Sequence, residues 1–101
     1  QKDANGETIL NLAIADVDEY AVEILLNKGA DANLHGQDGF TPIQRACFCD
    51  SERIFELLLS AGADLDAIND AGTSARQYCE GKFEGVKNAA RLRKIIAKFR
   101  R

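Results

Sequence analysis

The residues of this chain best suited to metal binding or nucleophilic chemistry are three cysteines and one histidine. Cys47 and Cys49 stand two positions apart, Cys79 follows much later, and His35 is the single histidine. In a helix, side chains at such a spacing point roughly 200° apart, so Cys47 and Cys49 cannot share one tetrahedral ion. We therefore predict no metal site, small buried side chains at Cys47 and Cys79, and a partly exposed Cys49.

The remaining titratable residues do not form the pattern of a catalytic site either. His35 has no serine or cysteine placed to act with it as a nucleophile, and we expect it at a surface that is solvated or binds a partner. Asp16 and Asp18 precede a predicted helix, where carboxylates cap the helix and suit its dipole. The chain also contains no phosphate loop, dinucleotide fingerprint or calcium loop. We predict that it is not an enzyme and that it needs no cofactor.

Composition indicates an ordinary globular domain. Of its 101 residues 46% are hydrophobic and 29% are charged, and no apolar run approaches the length of about 18 residues that a membrane helix needs. Three cysteines are too few for a disulfide framework and favour a reducing compartment, so we predict a cytoplasmic location, with a nuclear one as the alternative. The chain begins at Gln1 rather than at a methionine, and we expect it to be part of a longer protein.

Charge is distributed unevenly along the chain. Residues 1–81 hold 5 Lys/Arg against 15 Asp/Glu, whereas residues 82–101 hold 8 Lys/Arg against Glu84 alone. The basic end has three interpretations: a solvated helix that caps the fold, a contact with an acidic partner or with the rest of the parent chain, and a nucleic-acid or membrane-surface site. Because the body is acidic, the last is the least favoured of the three.

A repeat with a period of 33 residues decides the fold class. Residues 29–31 and 62–64 both read Gly-Ala-Asp, and Ile-Leu-Leu at 24–26 recurs as Leu-Leu-Leu at 57–59. Within each unit a Thr or Ser begins a short helix, an Asp or Ser begins a second, and a glycine ends it. The predicted helices span 9–15, 19–27, 42–49, 52–60 and 75–80. Such short helix pairs bury both faces only by stacking on their neighbours, which predicts a solenoid.

These residues resemble the ankyrin-repeat family, whose signature is Thr-Pro-Leu-His-x-Ala with the same period. Residues 41–46 read Thr-Pro-Ile-Gln-Arg-Ala, and residues 8–13 follow more loosely as Thr-Ile-Leu-Asn-Leu-Ala. The resemblance covers about residues 3–80. It implies an all-α solenoid of helix-turn-helix units joined by hairpin-like loops, with about three repeats. We expect the first repeat over 1–36, the second over 37–69, and a degenerate third repeat with a basic C-terminal cap over 70–101.

Several positions depart from the family pattern. The signature histidine is replaced by Asn11, Gln44 and Gln77, so any hydrogen bond it makes would have to come from an amide. In the third copy Arg76 replaces a core leucine and Cys79 replaces the small alanine. Residues 81–85 then predict a lengthened turn, before an apolar helical stripe that is formed by Leu92, Ile95, Ile96 and Phe99. We interpret this end as a cap.

The family resemblance implies a protein-binding module that uses its concave groove and hairpin tips. The positions that it places there, carried over residue by residue, are Glu7, Asp16, His35, Gln37, Asp38, Phe40, Arg45, Phe48, Cys49, Ile68, Asp70, Thr73 and Tyr78. Phe40, Phe48, Arg45 and Tyr78 are expected at its centre, because aromatic anchors ringed by polar residues are typical of binding hot spots. Two alternatives stay open: Phe48 packs on the next unit's first helix, and Phe40 packs on the neighbouring hairpin.

The acidic body predicts a partner protein or peptide with a basic or mixed-charge segment. The competing hypothesis is structural: the chain is the capping end of a longer ankyrin array in a multidomain protein whose activity lies elsewhere. The start at Gln1 and the altered third copy motivate it. Nucleic acid is an unfavoured partner, and no membrane span is predicted.

Overall fold

The computed structural model describes residues 8–36, 39–86 and 88–99 and shows six α-helices within them. The helices are α1 (Ile9–Ala15), α2 (Glu19–Asn27), α3 (Pro42–Phe48), α4 (Glu52–Ser60), α5 (Ala75–Tyr78) and α6 (Ala89–Lys98). The described part of the chain contains no strand, and Ile68 and Ser74 form an isolated antiparallel bridge. The prediction of an all-α solenoid of about three repeats is confirmed.

Short polar side chains begin the first helix of each pair. Thr8, Thr41 and Ser74 each accept a hydrogen bond from the backbone N–H three residues later, which satisfies a donor that has no partner within the helix. At the last two of these, the amide of Gln44 or Gln77 bonds back to the capping residue's own N–H and completes a capping box. The same chemistry therefore sets the start of the helix in all three units.

The helices stack in two layers. In one layer α1 packs on α3 and α3 on α5, and in the other α2 packs on α4 and α4 on α6. The interior between them is filled by fully buried side chains, the largest being Phe55, with Ile14, Ile43, Ile54 and Leu58. Two helices end slightly earlier than predicted: α3 stops before Cys49, which is extended, and α5 stops at Tyr78, three residues before the left-handed Gly81.

Gln44 joins the second unit to the third through its side-chain amide. Its Nε2 donates to the carbonyl oxygens of Ala67 at 2.7 Å and Thr73 at 3.2 Å, while its Oε1 accepts from the N–H of Thr41 at 3.1 Å. An amide thus makes the inter-repeat hydrogen bonds at the signature histidine position. At the same position one period earlier, Asn11 is completely buried, and neither its side-chain nitrogen nor its oxygen has a hydrogen-bond partner among the described residues.

We predict that Asn11→Gln raises the free energy of unfolding by about 1–2 kcal/mol, because it satisfies two buried polar atoms. The added methylene lets the amide reach the loop carbonyls of Leu34 and Phe40, which correspond to those of Ala67 and Thr73. Urea unfolding followed by circular dichroism measures the change. The matched control is Gln44→Asn, which should lower the stability by a similar amount. If both substitutions leave it unchanged, the amide bridge does not contribute.

The C-terminal helix is held on the body by opposite charges as well as by apolar packing. Arg91 lies 3.0 Å from Glu52, and Lys98 lies 3.3 Å from Glu56, both carboxylates belonging to α4. Leu92, Ile95 and Ile96 of the same helix are buried. The acidic body and the basic end are therefore complementary parts of one fold, which favours the interpretation of α6 as a cap.

Arg76 does not enter the core, although it stands where the first two units have Leu10 and Ile43. Its guanidinium Nε lies 2.8 Å from Oδ1 of Asp66, and the side chain is exposed. The hydrogen bond from Arg76 lowers the pKa of Asp66 and raises that of Arg76. The arginine is accommodated because the core at this end is completed by α6.

Candidate binding groove

Four aromatic rings from two helices and two loops form one cluster. Phe48 on α3 meets Tyr78 on α5 edge to face, with ring centroids 4.9 Å apart, and Phe83 meets the same tyrosine at 4.8 Å. Phe40, in the loop before α3, lies 6.1 Å from Tyr78 and 6.2 Å from Phe48. These separations are typical of favourable aromatic pairs. The cluster joins the second unit to the third at the side of the first helices.

Tyr78 lies at the buried base of this aromatic cluster. Its hydroxyl accepts a hydrogen bond of 2.8 Å from Nδ2 of Asn69, which is itself buried. The Oδ1 of Asn69 in turn accepts from the N–H groups of Ala71 at 2.9 Å and Thr73 at 3.1 Å. Tyr78 thus ties the helix to the preceding hairpin. Sequence reasoning placed it at the centre of the groove surface, but the structure places it beneath that surface.

Phe48 is both packed and exposed, so the two alternatives for it are not exclusive. One side of the ring contacts Tyr78, and another lies against Gly85, where a Cβ atom would stand only 3.1 Å from Cδ1 of Phe48. Gly85 has a φ of +91°, so both its backbone and the approaching ring favour glycine. Phe48 nevertheless keeps 41% of its surface exposed. Phe40 is half-buried in the same cluster.

A cleft of about 400 Å³ lies between the end of α1 and the outer side of α3. We call it the α1–α3 cleft and define it by its lining residues, which are Ile14, Ala15, Val17, Phe40, Arg45, Phe48, Cys49 and Asp50. Four of the positions predicted from the sequence are thus brought together: Phe40, Arg45, Phe48 and Cys49. Asp16 is exposed and stands between two lining residues, Ala15 and Val17.

Val17 and Asp50 are lining residues that the sequence reasoning missed. They are one repeat period apart and occupy the turn between the two helices of their units. Val17 has a φ of +54°, which is rare for a β-branched residue, and its side chain is exposed. Such backbone outliers concentrate at functional sites. The 33-residue period could have identified Val17 and Asp50, because it assigns both residues to the same turn beside the groove.

Charge at the cleft is mixed, and its thiol is neutral. Arg45 contributes a guanidinium, while Asp50 and the neighbouring Asp16 contribute carboxylates. Burial raises the pKa of the Cys49 thiol, and the nearby Asp50 raises it further. Cys49 is therefore protonated at neutral pH, and a protonated thiol is a weak nucleophile. The cleft offers apolar surface with charges at its edge.

The predicted hairpin residues lie outside the α1–α3 cleft. Nε2 of His35 is 3.1 Å from the carbonyl oxygen of Ile68, so the histidine links two successive loops. Ile68 and Asp70 are exposed, and Thr73 is half-buried, with its backbone used by Asn69 and Gln44. The hairpins form a second row of accessible residues. Glu7, Gln37 and Asp38 lie outside the described residues.

Within residues 8–36, 39–86 and 88–99, no group of three or more His, Cys, Asp or Glu side chains is placed to hold a metal ion. In the same ranges, no helix has the length and apolar character required to cross a membrane.

Comparisons with known proteins point to one family. The family model described as ankyrin repeats (3 copies) matches residues 1–69. The chain is 37% identical over 95 residues to neurogenic locus notch homolog protein 1 of Mus musculus and 36% identical to that of Homo sapiens. Each match covers 88% of this chain but only 4% of the relative. Interferon antagonist OPG039 of Monkeypox virus is 36% identical over 87 residues, covering 84% of this chain and 30% of that protein.

Proposed function

Because this chain belongs to the ankyrin-repeat family, we propose that it binds a partner protein or peptide through the α1–α3 cleft and the hairpin tips beside it. Ankyrin repeats are generally protein–protein interaction modules, and their fold is a non-catalytic one. We assign repeats to residues 1–36 and 37–69 and a degenerate repeat with a basic cap to 70–101. Few cysteines and a free thiol at Cys49 support a reducing compartment, the cytoplasm or the nucleus.

The observation that carries this proposal is the exposure of Phe48 at the edge of a cleft. A phenylalanine that gained stability only by burial would not leave 41% of its surface in water. The ring is held in one orientation by Tyr78 and Gly85, so little conformational entropy is lost when a partner covers it. Fixed aromatic anchors of this kind concentrate binding energy.

The charges at the cleft edge define the kind of segment that it fits. Asp16 and Asp50 stand on the side of the inter-helix turns, and Asp70 is exposed at a hairpin tip. A suitable partner would place an aliphatic or aromatic side chain in the apolar cleft and a lysine or arginine next to the carboxylates at its edge. Opposite charges at the rim mainly accelerate association and set specificity.

A peptide-display selection on the folded chain tests this function directly. Selected peptides should contain an apolar residue next to a lysine or arginine, and calorimetry should give a dissociation constant in the micromolar range or below. A matched selection on Tyr20→Ala should return the same peptides, because Tyr20 is 74% exposed on α2, away from the cleft. Peptides that bind equally well after Phe48→Asp would contradict the proposal.

A second candidate function is favoured by the open face at the start of the described chain. Ile9 is 53% exposed, whereas Pro42 and Ala75 at the same repeat position are buried. Leu25 is half-buried, whereas its counterpart Leu58 is completely buried. A further repeat stacked on this face would cover both, which suits the end of a longer ankyrin array. If this chain alone binds a partner of the longer protein at full strength, a purely capping function is wrong.

A further inference from the structure

Two buried thiols from successive repeats lie side by side behind the aromatic cluster. Cys47 on α3 and Cys79 at the end of α5 have their sulfur atoms 3.9 Å apart, and both side chains are almost completely buried. Cys49, the third cysteine, is half-buried at the α1–α3 cleft. The proposed binding function uses neither Cys47 nor Cys79.

The repeat itself does not require a thiol at the position of Cys79. The first two copies have Ala13 and Ala46 there, and both support the same helix pair. The third copy therefore carries a reactive atom where an alanine satisfies the fold, directly against the thiol of the copy before it. We propose that Cys47 and Cys79 form a reversible disulfide under a hydroperoxide oxidant and that this bond locks the third helix pair onto the second.

The geometry needs only a modest adjustment to make the bond. A disulfide joins its sulfur atoms at about 2.05 Å, so the present contact must close by roughly 2 Å. Since α3 and α5 are direct neighbours in the stack, we expect rotation of the two side chains and a small shift of the short helix α5 to bring the sulfurs to bonding distance. Cys49 follows Cys47 by two residues and leaves the helix in an extended conformation, with its sulfur near the carbonyl of Ala46 at 3.4 Å.

The surroundings assign the two sulfurs different roles. The hydrogen bond from Cys47 lowers the pKa of Cys79, and the positive charges of Arg93 and Arg76 lower it further. The same hydrogen bond raises the pKa of Cys47, and so does its burial. Arg93 also donates to the carbonyl oxygen of Cys79 at 2.6 Å, so its positive charge lies beside this thiol rather than beside Cys47. We therefore expect Cys79 to react first as the thiolate and Cys47 to resolve the product.

The reaction balances with hydrogen peroxide as the oxidant. The Cys79 thiolate attacks one peroxide oxygen, the O–O bond breaks, and the departing hydroxide leaves as water after taking a proton. Cys79 then carries a sulfenic acid. The Cys47 sulfur attacks the Cys79 sulfur, the S–O bond breaks, and the hydroxyl group leaves with the Cys47 proton as a second water. In sum, two thiols and one peroxide give one disulfide and two waters.

Access to the buried pair comes from the third unit. Its first helix has only four residues, and the described part of the segment from Cys79 to α6 is non-helical. Short helices with few internal hydrogen bonds open more easily than long ones, so peroxide reaches the thiols when this unit opens. The bond then closes a loop between residues 47 and 79 and disfavours the opening, because it restricts the unfolded chain.

The experiment uses the full chain carrying Cys49→Ser, which removes the half-buried third thiol as a competitor. After hydrogen peroxide treatment, denaturation and alkylation, we expect no free thiol, a mass lower by two hydrogens, and one cross-linked peptide joining Cys47 to Cys79. The melting temperature should rise by about 5–10 °C and return after reduction. Two alkylated thiols, a stable sulfinic acid, or a disulfide without a rise in melting temperature would overturn the proposal.

The matched control is Cys79→Ala, which installs the residue that the first two copies have at this position. Because Ala13 and Ala46 occupy the same site in intact helix pairs, this variant should fold with the same circular dichroism as the parent. Its melting temperature should not change with peroxide. If the melting temperature of this variant rises as much as that of the parent, the cross-link does not cause the rise.

Discussion

Tyr78→Ala is expected to lower the free energy of unfolding by about 3–5 kcal/mol, a large share of the stability of a domain of this size. The tyrosine is buried, its ring contacts Phe40, Phe48 and Phe83, and its hydroxyl holds Asn69. Its removal leaves a cavity and a buried amide N–H without a partner. Both losses fall on the interface between the second and third helix pairs.

Urea unfolding measured by circular dichroism gives the change in the free energy of unfolding. Two further substitutions separate the contribution of the hydroxyl group from that of the buried ring. Tyr78→Phe keeps the ring but leaves Nδ2 of Asn69 without its acceptor, so we expect a smaller loss of about 1–3 kcal/mol. Tyr20→Ala removes an exposed ring from α2 and should change the stability by less than about 0.5 kcal/mol. A loss below about 1 kcal/mol for Tyr78→Ala would mean that the aromatic cluster does not join the third unit to the second.

The repeat period explains why so much of the fold could be predicted from the sequence. Thr8, Thr41 and Ser74 each begin a helix by a local hydrogen bond, and Gly29 and Gly62 each follow a second helix with positive φ. These signals act within a few residues of chain and recur with one spacing, so stacking follows from them. Two helices end earlier than predicted, at Phe48 and at Tyr78, because the residues that follow them adopt a cap or turn conformation.

The candidate site was less predictable because its geometry depends on contacts between units. Tyr78 was expected at the surface, yet it is buried because Phe83, from a segment with no counterpart in the other copies, covers it. The family pattern contains no equivalent of residues 81–85, so it could not predict this. Val17 was missed for a different reason, since its positive φ is a property of the folded turn and not of the residue type.

The uneven charge of the chain can likewise be interpreted only from tertiary contacts. The sequence left three interpretations open for the basic end. In the structure Arg91 and Lys98 face Glu52 and Glu56 of α4. Exposed pairs of this kind contribute little stability each, about 0–1 kcal/mol. They nevertheless place two basic side chains of α6 next to carboxylates of the acidic body, which favours the cap interpretation.

Phe48→Ala is expected to weaken binding of a display-selected peptide by about 30-fold or more, equivalent to at least 2 kcal/mol. The ring borders the α1–α3 cleft, remains 41% exposed, and is held in place by Tyr78 and Gly85. A partner side chain that enters the cleft covers the exposed surface of Phe48. In the variant this contact with the ring is lost. Calorimetric titration of the same peptide into parent and variant measures the change.

Stability must be measured in parallel, because Phe48 also packs on the third unit. We expect Phe48→Ala to remain folded, since Tyr78 keeps its contacts with Phe40 and Phe83. Phe83→Ala is the matched control: that ring is exposed to nearly the same extent and contacts the same tyrosine, but it does not line the cleft. It should leave the peptide affinity within about threefold of the parent. Equal losses for the two variants would show that the cluster supports the fold rather than the binding surface, and an unchanged affinity for Phe48→Ala would remove the cleft from the proposed function.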